Sequence, residues 1–135
     1  MLYRGGNRTV LVVDDEEGVR LFVRAIMEQE GWVVEEAAHG EDALDQIAAQ
    51  APDLVILDLD MPVLDGFQTF ERLRDDPLTT DIPIIVLTGV NEGKGGAGYD
   101  AESLELAFEQ RRPEGFVEKP VDAAFLRQSV FGALG

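Results

Sequence analysis

The chain has 135 residues, with 27 acidic and 11 basic side chains and a formal net charge of −16. This length predicts one domain with a substantial core. The acidity argues against direct binding to nucleic acid or to an anionic membrane, because both are bound through clustered lysine and arginine side chains. The absence of cysteine excludes disulfides, thiol nucleophiles and thiolate metal sites. Since no signal peptide or membrane-spanning apolar run is recognisable, the sequence indicates a cytoplasmic protein.

Five apolar runs alternate with amphipathic segments along the chain. After a flexible lead-in over residues 1–8, strands are predicted at residues 9–13, 32–36, 54–57, 82–87 and 115–118. The first helix is predicted to follow residues 14–17 and to stop at Gly31. Further helices are predicted over residues 40–50, 65–76 and 100–111 and from residue 122 onward. This alternation predicts an α/β domain over residues 9–135, a doubly wound parallel sheet with helices on both faces. Trp32 and the phenylalanines are predicted to lie in its core.

Polar side chains follow four of the predicted strands. Asp14 and Asp15 come after the first strand, Asp58 after the third, Thr88 after the fourth and Lys119 after the fifth. A single acid in a loop is most often a turn residue or a helix cap. Because the carboxyl ends of parallel strands share one edge of the sheet, we expect all five side chains to converge there, where ligands bind in such folds.

The chemistry of this group follows from its charge. Two carboxylates about 5 Å apart repel by roughly 3 kcal/mol at an effective dielectric constant near 20. Three of them therefore favour a bound cation, and hard oxygen ligands suit Mg²⁺, with Mn²⁺ as its substitute. Beside such an ion an aspartate can attack a phosphoryl group and form an aspartyl phosphate.

Five motifs occur in order on the predicted elements. They are Val13-Asp14-Asp15-Glu16, Leu57-Asp58-Leu59-Asp60-Met61-Pro62 with Asp65-Gly66, Leu87-Thr88-Gly89 and Glu118-Lys119-Pro120. Together they resemble the receiver domain of two-component response regulators (CheY-like), over nearly the whole chain. The resemblance implies a flavodoxin-like (βα)5 fold with strand order 2-1-3-4-5.

The resemblance also implies a role for each acid. Asp58 would be the phosphoacceptor. Asp15 would bind Mg²⁺ directly, Asp14 would act largely through water, and the backbone carbonyl of Asp60 would complete the metal ligands from the protein. The domain would assist its own Mg²⁺-dependent phosphorylation and dephosphorylation without being an enzyme.

The remaining motif residues would detect the phosphoryl group. Thr88 and Lys119 would contact it, and Phe116 matches the aromatic switch position of the family, which packs inward as the threonine moves. The peptide bond before Pro120 would be cis. The stretch between Thr88 and Lys119 is longer than is usual in the family, with a glycine-rich loop at residues 91–99.

The resemblance implies a histidine kinase or a histidine phosphotransfer protein as phosphoryl donor and a downstream protein as target. Homodimers would form through residues 100–111, residues 115–118 and the last helix. The sequence names neither the kinase nor the target. We expect a receiver without an attached output domain, although a fragment of a longer protein stays open.

Two other functions are consistent with parts of the sequence. A phosphatase of the haloacid dehalogenase class would use Asp58 and Asp60, but Pro62 stands where its motif has threonine. A receiver-like module could also bind proteins without being phosphorylated. The complete set of acids, threonine and lysine argues against this second reading.

Overall fold

A computed structural model describes residues 8–61, 66–89, 108–109 and 111–134. Nine helices and strands lie in this part of the chain: β1 Thr9–Val13, α1 Glu17–Gln29, β2 Val33–Ala37, α2 Gly40–Ala49, β3 Leu54–Asp58, α3 Gly66–Asp75, β4 Ile84–Thr88, β5 Gly115–Glu118 and α4 Ala123–Leu134. Within these ranges no helix is long and apolar enough to cross a membrane.

The five strands form one parallel sheet in the order β2-β1-β3-β4-β5. This confirms the predicted fold class and strand order. The order places β1 and β3 beside each other at the centre, with Val13 paired to Leu57. It places Asp58 opposite Leu87 on β4 and Thr88 opposite Glu118 on β5. The ends of β1, β3, β4 and β5 therefore meet at one edge.

Apolar layers on the two faces of the sheet fix the helices in place. The strands β3 and β4 are buried along their whole length, as expected for strands covered on both faces. Beneath α2 and α3 lies one layer, which includes Leu57, Ile47 and Phe70. Beneath α1 and α4 lies the other, which includes Ile56 and Leu126.

Helix α1 ends just before Gly31, as the sequence predicts. Gly31 has a φ of +91°, a conformation that residues with a side chain rarely adopt. Its amide donates to the carbonyl of Glu28 at 3.0 Å, and the amide of Trp32 donates to that of Met27 at 3.1 Å. These two bonds form a Schellman motif, which leads the chain into β2. Trp32, directly before β2, is only 8% exposed.

Some predicted details differ from the structure. The helix expected at residues 100–111 lies mostly outside the described residues, but Phe108 and Glu109 form a turn and a bend, so its predicted end is wrong. Phe22, Phe125 and Phe131 are exposed and do not belong to the core. The expected lead-in, apart from Arg8, and the loop at residues 91–99 also lie outside the described residues.

Candidate functional site

Carboxylates from two adjacent strands meet at the sheet edge. Asp14 follows β1, and its amide donates to the Ala37 carbonyl on β2 at 3.1 Å. Asp58 is the last residue of β3, one position beyond the pairing of Val13 with Leu57. Carboxylate oxygens of Asp14, Asp15 and Asp58 lie within 4.8 Å of one another. Asp14 and Asp58 are fully buried, whereas Asp15 is exposed to solvent.

Lys119, directly after β5, provides a positive charge beside these carboxylates. Its backbone amide donates to the Thr88 carbonyl at 2.8 Å, which fixes the chain as it leaves β5. The ammonium Nζ lies 3.0 Å from Asp14 Oδ2 and 3.3 Å from Asp58 Oδ1. The peptide bond from Lys119 to Pro120 is cis. One buried cation therefore serves two buried carboxylates.

Burial dominates the titration of this group. It raises the pKa of the Asp58 carboxyl to about 7, and the charge of Asp14 adds to the increase, although Lys119 opposes it. Burial also raises the pKa of Asp14 against the hydrogen bond from the Glu16 amide and the charge of Lys119. Burial lowers the pKa of Lys119, but the Asp58 and Asp14 carboxylates raise it by more, so the ammonium keeps its proton.

The two oxygens of Asp58 have different surroundings. Oδ1 accepts a hydrogen bond from the Asp60 amide at 3.3 Å and contacts Lys119. Oδ2 is buried and accepts no hydrogen bond from the described residues. An ionised carboxylate oxygen without a donor is costly in a protein interior. This unsatisfied oxygen, beside two further carboxylates, fits a divalent cation with oxygen ligands.

The glycine that begins α3 lies directly against the Asp58 strand end. The Gly66 amide donates to the Leu59 carbonyl at 3.0 Å. A Cβ at this position would overlap the carbonyl oxygen of Asp58 and the Cα of Leu59. Only glycine therefore allows the helix to begin this close to the strand.

The structure also describes three other predicted site residues, Thr88, Asp60 and Phe116. Thr88 ends β4 and is 4% exposed, next to the residue that pairs with Asp58. Asp60 is half-buried just beyond β3. Phe116 lies on β5, half-buried, with its ring centroid 5.5 Å from that of Phe108.

The sequence indicates no role in the site for three residues that lie at or near it. Glu16 Oε1 lies 3.4 Å from the Lys119 ammonium. Arg20 donates to the backbone carbonyl of Asp14. Phe108 is fully buried and contacts the rings of Phe67, Phe70 and Phe116. The acidic run before α1 signals Glu16, and Phe108 is among the phenylalanines predicted for the core, but no local pattern signals Arg20.

Comparison with known proteins now decides the family. The model of the response regulator receiver domain matches residues 10–131. The chain belongs to this family. It is a receiver domain of two-component response regulators, as the motifs imply. This assignment does not favour the phosphatase or the phosphorylation-independent module.

Relatives and solved structures agree with the assignment. The alkaline phosphatase synthesis regulator PhoP of Bacillus subtilis is 34% identical, over 94% of this chain and 52% of the relative. The response regulator PleD of Caulobacter vibrioides is 34% identical over 87% of this chain and 24% of the relative. The chain thus spans between a quarter and about half of these relatives.

Two crystal structures show the same fold. The chemotaxis protein CheY4 of Vibrio cholerae superposes with a TM-score of 0.80 at 25% identity, covering 93% of this chain and 98% of that one. The receiver domain of a histidine kinase from Syntrophus aciditrophicus has a TM-score of 0.80 at 25% identity, covering 94% and 89%. The expected receiver fold is confirmed.

Proposed function

We propose that the chain accepts a phosphoryl group on Asp58 from the phosphohistidine of a kinase or phosphotransfer protein. One observation carries this proposal. The Asp58 carboxylate is buried at a strand end between two other carboxylates and the Lys119 ammonium, with one oxygen unsatisfied. A nucleophile and a countercharge thus lie at the same place.

The transfer itself needs few groups from the protein. An oxygen of ionised Asp58 attacks phosphorus in line with the leaving imidazole nitrogen of the donor. The new O–P bond forms as the P–N bond breaks, and the imidazole takes a proton from solvent. Lys119, already 3.3 Å from Asp58 Oδ1, is placed to neutralise charge on the phosphoryl oxygens. Because burial raises the pKa of Asp58 to about 7, a nearby cation would help to keep it ionised.

The acidic residues would hold Mg²⁺, or Mn²⁺ in its place. Asp15 and Asp58 would be carboxylate ligands, Asp14 would act through water, and Asp60 would offer its backbone carbonyl. A divalent ion bound there would neutralise the transferring phosphoryl group. The buried, unsatisfied Oδ2 of Asp58 supports this assignment.

Thr88 and Lys119 would contact the acquired phosphoryl group, and Phe116 would follow Thr88 inward. Thr88 lies on β4 and Phe116 on the neighbouring strand β5, where it pairs with Val86. The changed surface of β5 and α4 would then bind a downstream protein or a second copy of the chain. Sedimentation before and after phosphorylation would test the homodimer.

Intact mass and peptide mapping test the proposal. The protein is incubated with Mg²⁺ and acetyl phosphate, beside Asp58→Asn and a sample with EDTA. We expect a labile adduct of one phosphoryl group, cleaved by base, on the peptide that contains Asp58, absent from both controls. Asp45→Asn, at an exposed position of α2, is the matched control and should be modified like the wild type.

Two other outcomes would contradict the proposal. No adduct despite measurable Mg²⁺ binding would favour a module that works without phosphorylation. Steady release of phosphate over many turnovers, lost in both Asp58→Asn and Asp60→Asn, would favour the phosphatase.

A further inference from the structure

Two hydrogen bonds join Arg20 to two different elements, the acidic turn after β1 and the edge strand β2. The Arg20 guanidinium donates from Nη1 to the backbone carbonyl of Asp14 at 2.6 Å. Its Nε donates to Glu36 Oε1 on β2 at 2.9 Å. The side chain is only 15% exposed. Arg20 therefore bridges the edge strand and the turn that carries two of the three site carboxylates.

The far end of this bridge is itself held in place. The second oxygen of Glu36 accepts a hydrogen bond from Arg24 Nε at 2.7 Å. The backbone carbonyl of Glu36 accepts one from Gln46 on α2 at 2.8 Å. Hydrogen bonds from Arg24 and Arg20 lower the pKa of Glu36 although burial opposes them, so the carboxylate is charged. Glu36 is thus a rigid anchor for Arg20.

The backbone carbonyl that Arg20 bonds affects the orientation of both acidic side chains. The Asp14 carbonyl belongs to the peptide plane that joins Asp14 to Asp15. The amide of Asp14 is already fixed by the Ala37 carbonyl at 3.1 Å. With the carbonyl fixed as well, the backbone between the two acids has little freedom to rotate. This matters most for Asp15, whose side chain is exposed and not fixed by packing.

We propose that Arg20 is a positioning residue for the acidic site: it fixes the peptide plane between Asp14 and Asp15 and so aligns their carboxylates for Mg²⁺. This inference rests on the proposed function, because it assumes that these acids bind the ion. Groups outside the ligand set that orient metal ligands commonly change metal affinity by 10- to 100-fold when mutated.

Arg24 provides a matched control. It bonds the same Glu36 carboxylate and also Glu28 but, among the described residues, makes no hydrogen bond to Asp14. Arg20→Ala removes one arginine–glutamate pair, whereas Arg24→Ala removes two, of which the pair with Glu28 is exposed and of small value. We expect similar losses of thermal stability, but only Arg20→Ala should weaken Mg²⁺ binding, by about tenfold or more in isothermal titration calorimetry. Arg24→Ala should stay within twofold of the wild type.

Arg20→Lys separates geometry from charge. Lysine keeps the positive charge but lacks the planar fork that reaches both acceptors. We expect its Mg²⁺ affinity to fall at least fivefold. A wild-type affinity for Arg20→Lys would overturn the proposal, since charge alone would then be sufficient. If Arg20→Ala does not fold, Glu36→Gln, which weakens the anchor, should still lower the affinity more than Arg24→Ala does.

Phosphorylation by acetyl phosphate gives a second readout. If Arg20 only positions the ligands, Arg20→Ala should need more Mg²⁺ for half-maximal rate but approach the wild-type rate at saturation. Equal Mg²⁺ affinities for Arg20→Ala and the wild type would overturn this inference and leave the proposed function intact. A wild-type protein that binds no Mg²⁺ would instead contradict the metal site itself.

Discussion

The Asp58 carboxylate is buried, and its negative charge is only partly balanced by its neighbours. Asp14 lies beside it, and the single Lys119 ammonium is shared between the two. Burial and this like charge raise the pKa of Asp58 to about 7, so ionising it in the folded protein opposes folding. A reactive residue that is costly to stability is common at functional sites.

Replacing Asp58 should therefore stabilise the metal-free protein. One pKa unit corresponds to about 1.4 kcal/mol, and the raised pKa already includes the opposing attraction of Lys119. The gain is smaller than the full shift because Asn buries an amide group that needs hydrogen-bond partners of its own. We expect Asp58→Asn to raise the free energy of unfolding by about 1–3 kcal/mol at pH 8 in EDTA. Urea unfolding followed by circular dichroism measures the change. Asp45→Asn, on the exposed face of α2, is the control and should change it little.

The gain from Asp58→Asn should depend on pH with a definite sign. The folded-state pKa lies above the unfolded value of 3.8, so between pH 4 and pH 7 the folded protein holds the proton and the unfolded chain does not. The contribution of Asp58 to stability therefore falls as pH rises through this window. The difference between Asp58→Asn and the wild type should grow from pH 5 to pH 8. A difference that shrinks over this range would refute the assignment of the raised pKa.

At this scale the sequence predicts the acids and Lys119 because each directly follows an apolar strand. Once the strands are parallel, their ends must meet. Arg20 could not be predicted in the same way. Its partners are a backbone carbonyl six residues before it and a side chain sixteen residues after it. Neither spacing has a local pattern, since both contacts exist only after α1 packs beside β2.

The contact between α3 and the end of β3 depends on one glycine. In an exposed helix interior, alanine is more stable than glycine by about 1 kcal/mol. At Gly66 the added methyl group would overlap the Asp58 and Leu59 backbone, which cannot move as a side chain can. We expect Gly66→Ala to destabilise the protein by about 2 kcal/mol or more. Thermal and urea unfolding would measure this.

Gly132 on α4 is the matched control for Gly66. A Cβ there would meet nothing within 4 Å. Gly132→Ala should stabilise the protein by about 0.5–1 kcal/mol, as expected for an open helical position. Equal effects of the two substitutions would show that Gly66 does not limit the approach of α3 to the strand.

Phe108 connects α3 to β5 through edge-to-face ring contacts. Its ring centroid lies 5.3 Å from Phe67, 4.8 Å from Phe70 and 5.5 Å from Phe116. Truncating such a buried ring to alanine typically costs about 3–5 kcal/mol. We expect a loss of this size in the free energy of unfolding of Phe108→Ala. Phe131→Ala, at a side chain that is 82% exposed, should stay within about 0.5 kcal/mol of the wild type.

The order and type of the described elements follow from hydrophobic periodicity, but the burial of individual aromatic residues does not. Phe131 is an apolar side chain directly after the buried Val130 on α4, yet it is exposed. Phe108 lies in a turn and not in the predicted helix, and it is fully buried. Its environment comes from α3 and β5, which are far from it in sequence. Tertiary packing therefore decides what the local pattern leaves open.

For the whole molecule, the proposed phosphorylation should produce an incomplete change of state. Each charge-assisted hydrogen bond is worth roughly 1.5–3 kcal/mol, so Thr88 and Lys119 together could supply at most about 6 kcal/mol. Moving an equilibrium from 1:99 to 99:1 needs about 5.5 kcal/mol. Lys119 already pairs with Asp14 and Asp58 before phosphorylation, so its net gain is smaller.

NMR spectra of the phosphorylated protein would measure this balance. We expect shifts of β4 and β5 amides that lie between two end states and move further when a binding partner is added. Complete conversion by phosphorylation alone would contradict this expectation. A beryllofluoride adduct, which mimics the phosphoryl group, allows the measurement on a stable sample.

Trp32, the single tryptophan, lies directly before β2, whereas the acids lie at the opposite ends of the strands. A five-residue strand spans roughly 16 Å, so the indole is remote from the site. Its surroundings include the Arg8 guanidinium at 5.8 Å and the Schellman turn of Gly31. The emission of Trp32 should consequently change when the protein unfolds but change little when a metal ion or a phosphoryl group occupies the site. An emission change on adding acetyl phosphate would reveal a long-range rearrangement and not a local quench.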